Sequence, residues 1–127
     1  YRAVIGGDTS IGQGTIIGGF VGERCIVGNQ CRVFGQLIHK QLDTTASWDE
    51  HETPEPSPRV EDNSFVGFGA LVIGGVTIGP NAYVCAGSIV TRDVPPGHVA
   101  RGVNQLVPIG KWPGGLASNP GLRIAGR

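Results

Sequence analysis

The chain has 127 residues, 22 of them glycine, and ten basic side chains balance ten acidic ones at zero net charge. That balance leaves no global field to favour nucleic acid or an anionic membrane surface, and no apolar run approaches the roughly 20 residues that span a bilayer. Glycine at this level without a tripeptide period describes a corner-rich repeat within one compact domain, not collagen or a linker.

From the N-terminus, large aliphatic residues fall every six positions at Ile5, Ile11 and Ile17. The beat then jumps phase to Val21, Val27 and Val33, a loss of two residues at one corner that reads as a local distortion. After an interruption it returns at Val60, Val66, Val72, Ile78, Val84 and Val90. Four residues after each of these comes Ser64, Ala70, Val76, Ala82, Ser88 or Val94, all small or β-branched. A helix wants apolar residues every three or four positions and an ordinary strand wants alternation, so neither fits. A short strand followed by a sharp corner does fit, with one side chain per unit pointing inward and each unit relying on its neighbours for burial. Gly at the position after the aliphatic one (Gly6, Gly12, Gly18, Gly22, Gly28, Gly67, Gly79) is expected to turn the corner in a left-handed backbone conformation.

The pattern resembles the hexapeptide-repeat left-handed β-helix, in which three hexads close one triangular coil. That resemblance covers roughly residues 3–38 and 60–104. It implies an all-β left-handed parallel β-helix over residues 1–105, with an extruded loop at 39–59 and an irregular tail at 106–127. Cys25 and Cys31 take the small fifth position of consecutive hexads, and Cys85 stands where Gly is usual. An odd number of cysteines without paired spacing reads as buried thiols in a reducing, cytoplasmic compartment. A chain opening at Tyr1 with neither Met nor a signal-peptide pattern reads as trimmed.

The long interruption from 39 to 59 has no period and holds Pro54, Pro56 and Pro58 with Trp48. A long excursion from a compact repeat is usually functional. The resemblance extends here to the maltose, galactoside and xenobiotic acetyltransferases, whose catalytic His lies in such a loop. His39-Lys40-Gln41-Leu42-Asp43 is similar to the His-basic-x-Asp region of the xenobiotic group. Asp62-Asn63-Ser64-Phe65-Val66-Gly67 is similar to the turn after the loop, with Phe65 for the usual Trp. The run Ala86-Gly87-Ser88-Ile89-Val90-Thr91-Arg92-Asp93-Val94-Pro95-Pro96 is similar to the closing signature.

The resemblance implies transfer of an acetyl or short acyl group from acetyl-CoA to a hydroxyl or amine. Removing the nucleophile's proton suits a side chain that titrates near neutrality, as histidine does, and His39 is the expected base. The donor would lie against Phe68, Ala86, Gly87, Ser88, Thr91 and Arg92. Arg101 or Lys111 would serve its nucleotide end, because Leu106 stands where relatives carry an Arg. Asp43, Trp48 and His51 in the loop would meet the acceptor, expected to be a sugar, a nucleotide sugar or a similar small molecule. His98 reads as structural. Outer apolar residues such as Phe20, Phe34, Phe68 and Tyr83 mark an interaction surface, and the resemblance implies a homotrimer with sites between subunits; the charge balance and the lack of a long apolar run speak for neither nucleic acid nor membrane as partner. A γ-carbonic anhydrase-like zinc enzyme and a non-catalytic scaffold are the alternatives; His39, His51 and His98 lack the short-spaced ligand pair that zinc sites commonly use.

Overall fold

The computed structural model describes residues 3–40 and 55–112. Its strands are short because each hexad supplies only two or three extended residues before the next corner. The first coil is β1 (Val4–Ile5), β2 (Ser10–Ile11) and β3 (Ile16–Ile17); the second is β4 (Phe20–Val21), β5 (Ile26–Val27) and β6 (Arg32–Val33). The third is β7 (Gln36–Ile38), β8 (Arg59–Val60) and β9 (Phe65–Val66), and the fourth β10 (Leu71–Ile73), β11 (Thr77–Ile78) and β12 (Tyr83–Val84). β13 (Ile89–Val90), a single bridge at Val94 and β14 (His98–Arg101) make the fifth.

Coils stack in parallel register, so three sheets run along the prism: β1-β4-β7-β10-β13 (sheet A), β2-β5-β8-β11 (sheet B) and β3-β6-β9-β12-β14 (sheet C). Every aliphatic beat residue from Val21 to Val90 is buried, as are Cys25, Cys31, Ser64, Ala70, Ala82, Ser88 and Val94 at the fifth position. Polar fifth-position groups bond to carbonyls of a neighbouring coil, Ser64 Oγ to Gly79 O at 2.7 Å and Cys31 Sγ to Glu61 O at 3.1 Å. Burial pushes the Cys25 thiol up to about 11 and raises Cys31 as well.

Two expectations about the corners need correction. The left-handed residue is the third after the aliphatic beat, not the first: φ is 54° at Asp8, 60° at Arg24 and 60° at Asn63, and +71° at Gly69. The glycine after the beat serves close approach instead. A Cβ on Gly79 would stand 2.7 Å from Pro96 N and 2.9 Å from Val94 O, and one on Gly67 2.7 Å from Ala86 N. Coils stacked at about 4.8 Å leave no room there for a side chain. Gly79→Ala is therefore expected to lower stability by about 1–3 kcal/mol through overpacking against backbone. Gly7→Ala, where nothing lies within 4 Å, should be near neutral; chemical denaturation of the two variants checks the contrast.

The phase jump is also no isolated distortion. The corner between β3 and β4 and the one between β6 and β7 are both two residues short, and they stack, so the register steps by 16 from Val4 to Phe20 and from Phe20 to Gln36. Full corners at 67–70 and 85–88 project beyond them.

After β14 the chain turns back at Asn104 into β15 (Gln105–Pro108), antiparallel to β14 with Val99 opposite Val107. A 3₁₀ turn at Ile109–Lys111 then sets Ile109 and Trp112 on the outer side of sheet C, against Phe65, Tyr83 and Val99. Phe65 and Tyr83 stack with centroids 4.5 Å apart. Tyr83 is thus only 5% exposed; it belongs to this covered cluster and not to an open apolar face.

Candidate active site

The corner joining sheets A and B in the third coil is where the excursion leaves and returns. His39 follows β7 directly, and its two stems are tied together by Lys40 N–H donating to Pro56 O at 2.8 Å. The returning stem is clamped to the second coil as well, with Ser57 Oγ donating to Glu23 O at 2.8 Å. Glu55 and Ser57 each precede a proline, which holds them extended. The stem is a fixed wall.

This closure sets Glu55 against His39. Nδ1 of His39 lies 2.8 Å from Oε2 of Glu55 and 3.1 Å from the carbonyl oxygen of Lys40. Both neighbours only accept hydrogen bonds when Glu55 is ionised, so Nδ1 must carry the proton. In the neutral ring the lone pair then resides on Nε2, the tautomer a general base requires. The Glu55 carboxyl is 6% exposed and the His39 ring 21%. A buried carboxylate fixes the ring; the partly open ring keeps access to solvent and ligand. Sequence reasoning does not single out Glu55. Its place between Pro54 and Pro56, at the foot of the excursion, is the signal that could have singled it out.

The expected donor residues other than Lys111 fall on two edges of sheet A. Phe68, Ala86, Gly87 and Ser88 lie on the corner that leads from sheet C into sheet A, and Arg101 at the end of β14 stands above them. Phe68, Ala86, Gly87 and Arg101 are exposed, whereas Ser88 is buried, with its hydroxyl 3.4 Å from Ala100 O. Ser88 can therefore offer only backbone to a ligand. Gly87 N–H donates to Phe68 O at 2.9 Å, which locks the two full corners together. Burial raises the Cys85 thiol beside Ala86, with Arg101 opposing the shift.

Thr91 and Arg92 lie on the other edge, two coils above His39. Thr91 is held by Asn104, whose Oδ1 accepts from Thr91 N–H at 2.8 Å and whose Nδ2 donates to Thr91 Oγ1 at 2.7 Å. Lys111 is exposed in the 3₁₀ turn over sheet C. The two edges are separated by β10, from Ala70 to Gly74, about 13 Å at ~3.3 Å per residue. One chain does not bring His39 onto the Ala86–Ser88 corner. Asp43, Trp48 and His51 lie outside the described residues. His98 donates from Nδ1 to Pro96 O at 2.9 Å, in the fifth coil and far from His39. Among the described residues no group of three His, Cys, Asp or Glu side chains could hold a metal ion, and no helix is long and apolar enough to cross a membrane.

Residues 57–92 match the family described as bacterial transferase hexapeptide (six repeats). A serine acetyltransferase of Synechococcus elongatus is 32% identical over 118 residues, covering 90% of this chain and 42% of the relative. The chain thus spans less than half of that relative's length. A hexapeptide-repeat containing acetyltransferase from Vibrio cholerae superposes with a TM-score of 0.61 at 26% identity, over 78% of this chain and 61% of the other. A histidine-to-alanine mutant of GDP-perosamine N-acetyl transferase from Caulobacter crescentus, solved with CoA and GDP-perosamine, gives 0.52 at 29% identity, over 79% and 41%. Six-residue beat, three stacked parallel sheets and these likenesses agree: residues 57–92 carry the repeats of the hexapeptide transferases, and the chain folds as a left-handed parallel β-helix like theirs.

Proposed function

We propose that this chain transfers an acetyl or short acyl group from acetyl-CoA to a hydroxyl or amine of a sugar, free or nucleotide-linked, or of a similar small acceptor. The observation that carries the proposal is the His39–Glu55 pair at the foot of the excursion, with the proton on Nδ1 and the base on Nε2. Nε2 takes the proton of the acceptor as its oxygen or nitrogen attacks the thioester carbonyl. Glu55 stabilises the imidazolium so formed, and the same proton then passes to the departing thiolate. No acyl-enzyme is needed when both substrates are held together, so positioning supplies much of the rate.

Acetyl-CoA fits the corner of Phe68, Ala86 and Gly87, where small exposed residues leave the backbone approachable and Arg101 offers a cation toward the phosphates. The faces of the prism support a particular assembly. Sheet B points Ser10, Ile26, Arg59 and Thr77 outward, a mostly polar row, and the upper part of sheet C lies beneath Ile109 and Trp112. Sheet A points outward Val4, Phe20, Gln36, Leu71, Ile73 and Ile89, a row apolar except for Gln36 and suited to contact with copies of itself. Three chains with sheet A turned to a common threefold axis would set the His39 edge of one against the Ala86 edge of the next, giving three equivalent grooves. Thr91 and Arg92 would then border the groove from the histidine side.

Thiol release from acetyl-CoA, measured against a panel of hexoses, amino sugars, nucleotide-linked sugars and serine, tests the activity. Release that depends on one acceptor is the expected result. No release with any acceptor, together with no binding of acetyl-CoA, would overturn the reading.

A further inference from the structure

The two shortened corners leave a feature that acetyl transfer does not use. Beneath the projecting corner of Phe68 the edge is cut back over the lower three coils, and a cleft of about 460 Å³ runs along it. Its lining is Ala3, Val4, Gly19, Phe20, Phe34, Gly35, Gln36 and Gly69, with no charged side chain among them. Phe34 and Phe68 stack at 4.8 Å between centroids and 17° between planes, so the aromatic pair forms the cleft's upper end. The floor is glycine because the coils touch there. A Cβ on Gly35 would stand 2.6 Å from Ala70 O, and one on Gly19 would collide with Gly35 O.

The cleft continues the same corner column that carries Ala86 and Gly87, and it leads away from Arg101. His39 belongs to the third coil, level with Gly35 and Gln36. On the donor assignment proposed above, the thioester would sit at the top of this cleft, with the nucleotide above it and the cleft below. A sugar needs several hydrogen-bonding side chains, and Gln36 is the only polar side chain in the lining. We infer that the cleft receives a linear acyl chain longer than acetyl, extending from the thioester down the cut-back edge. Three coils span two spacings of about 4.8 Å, room for roughly eight carbons at ~1.3 Å of advance per C–C bond.

Full burial of a methylene is worth about fourfold in affinity. A cleft open on one side should give about half that free energy, roughly twofold per methylene, so octanoyl-CoA should bind about 50-fold more tightly than acetyl-CoA. Calorimetric titration of the purified full chain with acetyl-, butanoyl-, hexanoyl- and octanoyl-CoA measures this directly. Ala3→Trp, an exposed position at the cleft's lower end, should remove most of the gain for the longest chain while leaving acetyl-CoA affinity unchanged. Acetyl-CoA binding without any gain on lengthening would overturn this inference and leave the donor assignment standing. Binding of none of the four thioesters would remove both.

Discussion

Alanine in place of His39 is expected to lower kcat by about 10²–10⁴-fold, the usual contribution of a positioned acid–base group. Affinity for acetyl-CoA should change little, because in the proposed assembly the donor corner would belong to a neighbouring chain. Glu55→Gln gives the finer test. Glutamine can keep the ring in place, but it no longer offers a charge to the imidazolium. Its amide nitrogen could also donate to Nδ1 and so favour the wrong tautomer. The Lys40 carbonyl, 3.1 Å from the same nitrogen, still favours the right one. A loss of about 10–100-fold, smaller than that of His39→Ala, is therefore expected for the carboxylate. Steady-state kinetics at saturating donor and acceptor decide both. Unchanged kcat in His39→Ala would show that the base is elsewhere.

The scaffold is legible in the sequence because each hexad repeats one physical problem: an inward aliphatic, a corner, a small residue where three faces meet. Val60 through Val94 could be assigned to the core before any coordinates. What escaped depends on distances between coils. Gly79 reads as a turn residue until Pro96 is seen 2.7 Å from where its Cβ would be. The second short corner is hidden because Leu37, the beat residue that reveals it, stands just before the excursion and has no successor in phase. Tyr83 reads as surface because β15, which brings Trp112 over it, carries no repeat. His39 stands out in the sequence as a candidate by its place at the break in the beat. Glu55 does not, since 16 residues of aperiodic chain separate the pair and only closure of the stem joins them. The expected donor residues can be listed from the sequence, but their division between two edges of one sheet cannot. A sequence written as hexads does not show which corners share a column.

That division between edges leads to the second large effect. Ala86→Trp should block the donor edge, as His39→Ala removes the base, and each variant alone should be nearly inactive. If every groove takes its base from one chain and its donor wall from the next, trimers formed from an equal mixture of the two variants contain some grooves with neither defect. Random assembly makes that share about one quarter, the product of two independent halves around a closed ring. Co-refolding or co-expression of the variants should thus restore about 25% of wild-type turnover, whereas mixing preformed assemblies that do not exchange subunits should restore none. Full dependence on subunit exchange is the signature of a site built between chains. If the co-assembled mixture stays as inactive as its parents, while gel filtration shows mixed trimers, His39 and the Ala86 corner do not meet across an interface. The 13 Å of sheet A between them would then have to be bridged within a single chain.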